Sequence, residues 1–116
     1  MATVSATYPQ TYEDQVGVAI WTLLTSTNTD GSPFSRVKWA DKTVQITGTF
    51  GTGTVVIQGS NDGSNWATLK DPSNTAISTT SAAIRAILEN PLYIRPLVTG
   101  GDGTTSITVT LVARRN

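Results

Sequence analysis

The 116-residue sequence contains no cysteine and no histidine, and charged residues make up only 14% of it. Without cysteine there is no disulfide, no thiolate metal site and no cysteine nucleophile. A reducing cytosol fits this, although missing cysteine fixes no address. Without histidine a Ser-His-Asp hydrolase is excluded, and zinc loses its commonest ligand. Eight basic and eight acidic residues cancel. A nucleic-acid partner, which needs a concentrated basic field to displace counterions, is therefore not expected. No run reaches the roughly 18 apolar residues of a membrane helix, so no membrane partner is expected either.

What is present is a threonine-rich alternation punctuated by turn formers. The length suits one domain, read as residues 16–116, preceded by an N-terminal arm over 1–15. The opening "MATVSATYPQTYEDQ" has no basic n-region and no apolar h-region. It reads as a flexible or docking arm rather than a secretory leader.

"VGVAIWTLL" (16–24) is β-branched, apolar on both faces, and ends in the breaker-rich "TSTNTDGSP". It predicts a strand covered on both sides. In "TVQITGTF" (43–50), Val44, Ile46 and Phe50 share one face, while Thr43, Gln45, Thr47 and Thr49 share the other. That period of two is the mark of a half-buried strand. With "GTG" and the returning "TVVIQG" (54–59) it predicts a β-hairpin. "SNDGSN" predicts a second reversal into a short strand carrying Trp66 and Leu69, and a short edge strand is expected around Ala76–Ser78. "AAIRAILENP" (82–91) has helical spacing at Ile84, Ile87 and Leu88 but is stopped by Pro91, and is read as a strand or a single turn. "LYIRPLV" (92–98) is a strand with Pro96 at an edge or bulge, "TGGDGTT" a hairpin loop, and "SITVTLVA" (106–113) the last strand. Seven or eight strands with regular turn signals predict an all-β antiparallel sandwich, jelly-roll or Ig-like.

Candidate chemistry is sparse. Asp62 is the single carboxylate of "SNDGSN" and no bidentate Glu follows it. A calcium loop needs six to eight oxygens, so a plain Asx-type turn is the better reading. "TGGDG" is followed by a strand and lacks the lysine of a phosphate loop. Of the acids Glu13, Asp14, Asp30, Asp41, Asp62, Asp71, Glu89 and Asp102, nearly all fall in predicted loops or in the arm, which favours turn chemistry over a carboxylate-pair hydrolase. No catalytic, cofactor or metal residue is assigned. Of the tryptophans, Trp21 reads as core, while Trp39 and Trp66 border polar turns and could form a contact or sugar platform.

"VVIQGSNDGSNWATL" resembles the strand–turn–strand of discoidin-type sandwiches over about fifteen residues, though the chain lacks their terminal cysteine pair. Over residues 40–113, "TVQITGTFGTGTVVIQGSNDGSNWATL" together with "ENPLYIRPLVTGGDGTTSITVTLVARR" is similar to head decoration (cement) proteins of tailed bacteriophages. This second resemblance implies a non-enzymatic virion protein on the capsid exterior. Its partner would be the major capsid protein lattice, with self-association as a dimer or trimer at symmetry axes. Tail-associated structural proteins and glycan-binding sandwich modules are the alternatives. Tyr, Trp and Arg dominate interface energetics, so contacts are expected at Tyr8, Pro9, Tyr12, Trp39, Arg95, Arg114 and Arg115.

Overall fold

The computed structural model describes residues 3–8, 16–35 and 40–114. Among these the secondary structure is all strand: β1 (Val16–Leu24), β2 (Asp41–Thr49), β3 (Gly53–Ser60), β4 (Ala67–Thr68), β5 (Ser78–Thr79), β6 (Ala83–Ile87), β7 (Tyr93–Gly100) and β8 (Ser106–Arg114). They form two antiparallel sheets. The first has the order β1-β8-β2-β6, and the second sets β3 between β7 on one edge and β4 and β5 on the other.

Alternation drives the packing. Val44 and Ile46 of β2, Val55 and Ile57 of β3, and Ile107, Val109 and Leu111 of β8 are all buried between the sheets. Every second residue of these strands points into one core, and the threonines face outward. β1 follows the same rule until a bulge between Trp21 and Leu24. There Leu23 takes a left-handed conformation (φ 61°) and is 67% exposed. The bulge restores Leu24 to the core side of the strand. The outward residues Val16, Val18 and Ile20 remain half-buried rather than covered, so the expectation of a strand enclosed on both faces is corrected.

Two predicted hairpins are also corrected. β2 pairs with β6 and β8, and β3 with β4, β5 and β7, so the "GTG" reversal carries the chain from one sheet to the other. The "TGGDGTT" loop does the same between β7 and β8. Each strand finds its ladder partners in its own sheet, with the inner faces buried between the two, and a clamp joins the two crossings. The Asp102 carboxylate accepts from Thr52 N (3.2 Å), and Thr105 Oγ1 donates to Phe50 O (2.9 Å). A Cβ on Gly51 (φ 57°) would lie 2.4 Å from the Asp102 carboxylate, so this contact requires glycine. The stretch around residues 82–90 is settled as the strand β6, whose five residues pair in register with β2.

The second sheet is extended on its β7 edge by residues 30–34. Asp30 bridges Leu97 and Phe34 bridges Ile94. Gly31 N donates to Pro96 O, so the Pro96 nitrogen, lacking a hydrogen, faces this sparsely bonded edge and not the β3 ladder. Residues 3–8 of the expected arm lie against this same side of the sandwich. Val4 pairs with the 30–32 segment, and Thr7 and Ile20 exchange backbone hydrogen bonds of 2.7 and 2.9 Å. This part of the arm therefore staples one sheet to the other, with Val4 and Ala6 packed on the core. On the opposite side Leu88 N donates to Lys70 O and Lys70 N to the Glu89 carboxylate, tying the end of β6 to the second sheet.

A candidate contact face around Arg95 and Trp66

The outer face of the second sheet is built by register. Gln58 of β3 lies opposite both Arg95 of β7 and Thr68 of β4. Arg95 and Gln58 are outward residues of their strands, since Ile94 and Ile57 beside them are buried. Cross-strand neighbours on one face meet at about 5 Å between Cβ atoms, within easy reach of long side chains.

The loop between β3 and β4 sets the third member. Asp62 Oδ1 accepts from Ser64 N and Asn65 N (both 2.8 Å) and from Ser60 Oγ (2.9 Å), and its Oδ2 accepts from Asn65 Nδ2 (2.8 Å). Ser60 Oγ in turn accepts from Asp62 N and Gly63 N. Gly63 supplies the left-handed step (φ 78°) beside the Tyr93 ring. These bonds, led by the Asn65 amide, hold the Asp62 carboxyl far below the usual carboxylate range. The carboxylate is consumed in shaping an Asx-type turn, as its residue types imply.

The turn delivers Trp66 half-buried at the edge of the sheet, with the Arg95 guanidinium 4.1 Å from the ring centroid. Arg95 Nε donates to Gln58 Oε1 (3.0 Å), and Nη1 lies 3.6 Å from Asp30 Oδ2. Thr3 Oγ1 donates to that same Asp30 oxygen (3.1 Å). A planar, permanently charged fork is thus held by an aromatic face, an amide and a carboxylate. The arrangement presents a cation and an indole in fixed geometry. It is suited to binding.

Of the sequence-predicted contacts, Arg95 lies at the centre of this face. Tyr8 is 47% exposed and stacks on Phe34 at 6.5 Å, on the edge segment beside β7. Arg114 lies on the first sheet, opposite Val16 and Asp41, and is not brought to Arg95. Pro9, Tyr12, Trp39 and Arg115 lie outside the described residues. Sequence reasoning missed Gln58 and Asp30. Gln58 carried a signal, an outward position in the alternation of "VVIQG", whereas the Asp30 contact crosses 65 residues and left none.

Of the remaining acids, Asp41 opens β2, Glu89 accepts from Lys70 N, and Asp71 and Asp102 serve turns. Asp71 Oδ1 accepts from Ser73 N and Thr75 N, and Asp102 Oδ1 from the Thr104 amide and hydroxyl. The Thr104 hydroxyl above all lowers the Asp102 pKa. Glu13 and Asp14 lie outside the described residues, among which no three of His, Cys, Asp and Glu gather to hold a metal. No described helix is long and apolar enough to cross a membrane.

No protein-family model matches the chain, and no curated protein does. A solved structure described as FeII HppE in complex with substrate superposes on 93% of the chain with a TM-score of 0.45 and 12% identity. The chain spans about half (52%) of that protein's length. At this level the likeness transfers neither activity nor iron chemistry.

Proposed function

We propose that the chain is a structural virion protein, a decoration (cement) protein that docks on the outside of a phage head. The observation that supports this reading is the Arg95–Trp66 constellation. It is outward, held by several contacts and rich in the residue types that anchor protein interfaces. Arg95 covers one face of the Trp66 ring, and the pairing of a guanidinium with an indole is typical of protein interfaces. Decoration of this kind acts by mass action: copies that bind only the assembled lattice shift it away from expansion and rupture. Each contact can be modest because the lattice offers many sites.

The test is co-sedimentation of the purified protein with heads that lack it, followed by electron microscopy. Extra density on the head exterior, and binding weakened at least tenfold in Arg95→Ala and Trp66→Ala, support the proposal. Protein that stays in the supernatant, or hits on a glycan array abolished by Trp66→Ala, overturns it.

A further inference from the structure

Lys42 occupies an inward position of β2, in line with Val44 and Ile46, and is only 7% exposed. Lysine is almost never buried without a specific partner. Here Nζ donates to Ala40 O (2.9 Å) and to Asn90 Oδ1. Asn90 follows β6 and is 48 residues away in the chain. Whichever way the Asn90 amide is turned, its Cγ stands one bond from the atom that Nζ touches.

We propose that Lys42 and Asn90 form an intramolecular isopeptide bond that joins β2 to the connection between β6 and β7. The unprotonated Nζ attacks Cγ of Asn90, and the Cγ–Nδ2 bond breaks. Nδ2 leaves as ammonia, taking up a proton given up by the amine, so no oxidant or other reactant is required. Burial lowers the Lys42 pKa against the opposing pull of Asp41, which enlarges the unprotonated fraction that can attack. The sequence around Asn90 removes the usual competitor. Asparagine amides commonly close on the N–H of the following residue, but that residue is Pro91, which has none. Two clefts flank the contact, one lined by Lys42 and one by Asn90, with volumes of about 300 and 420 Å³. They give ammonia a way out.

The test is the intact mass of the purified, refolded chain, followed by tryptic mapping. A chain lighter than its sequence by one ammonia supports the bond. So does a branched product joining the peptide of residues 39–70, uncut at Lys42, to the peptide that begins at Ala86. Both signals should vanish in Asn90→Ala and in Lys42→Met. Asn90 is exposed, so Asn90→Ala is expected to fold, and circular dichroism checks that it does. Full sequence mass after prolonged incubation at neutral pH overturns the proposal. So does an ammonia loss that persists in Asn90→Ala.

Discussion

Trp21→Phe probes whether the stapled side of the sandwich carries the fold. Trp21 is 1% exposed, and its Nε1 donates to Ser32 O at 3.0 Å. The indole also abuts Gly31, where an added Cβ would lie 2.7 Å from Trp21 Cδ1. Phenylalanine keeps the six-membered ring but removes the donor, leaving a partly buried carbonyl without its bond, at a cost of about 1–1.5 kcal/mol. It also leaves a void of roughly 40 Å³, which at about 24 cal/mol per Å³ adds about 1 kcal/mol. The expected loss is about 2–2.5 kcal/mol, or roughly 8–10 °C in Tm for a domain of this size. Urea unfolding followed by far-UV circular dichroism measures it without relying on the altered fluorophore. The same change at the half-buried Trp66 should cost less than half as much. A loss under about 0.5 kcal/mol at Trp21 with an unchanged m value would refute the reasoning, because it would mean that the indole closes nothing.

Other outcomes follow from the same geometry. Gly48 sits at φ 124° with its would-be Cβ 2.3 Å from Ser106 O. Gly48→Ala should therefore cost at least about 1–3 kcal/mol by thermal melting. Because the Asp62 carboxyl is depressed in the folded state, its contribution to stability is fully present above the unfolded pKa and is lost as pH falls through the folded one. The Tm gap between the native chain and Asp62→Asn should thus be open at pH 6 and narrow steadily below about pH 4; a gap that widens with acid contradicts this. A double-mutant cycle on Trp66→Ala and Arg95→Ala should give a coupling of about 0.5–1 kcal/mol in urea unfolding. A coupling of zero would mean that the stacked geometry is not held in solution.

The strands were legible because their alternation is local. Val44, Ile46, Ile107, Val109 and Leu111 announce their faces within a few residues of sequence. Pairing was less legible, since "GTG" promises only a reversal. Whether the chain turns back beside β2 or crosses to the other sheet depends on distant partners, and the crossing is held by Asp102 and Thr105, some fifty residues later. Of the candidate face, Arg95 is singled out by residue type. Its embrace by Trp66, Gln58 and Asp30 required the register of β3 and β7. Lys42 shares the parity of Val44 and Ile46 in plain sight. A lysine on the apolar side of a strand is a signal worth following in any alternating sequence.

The place of β8 in the first sheet bears on how the molecule is made. β8 is synthesised last of the eight strands, yet it lies between β1 and β2, pairing with both. While the ribosome is still extending the chain, β1 and β2 hold ladders of unpaired backbone groups with nothing to insert between them. Completion of that sheet must wait until β8 has left the exit tunnel. Until then the nascent chain exposes open strand edges, as the slow folding of non-local β topologies implies. A ribosome stalled before β8 should display a chain that chaperones hold and proteases cut, and emergence of the nine residues of β8 should convert it to a resistant one.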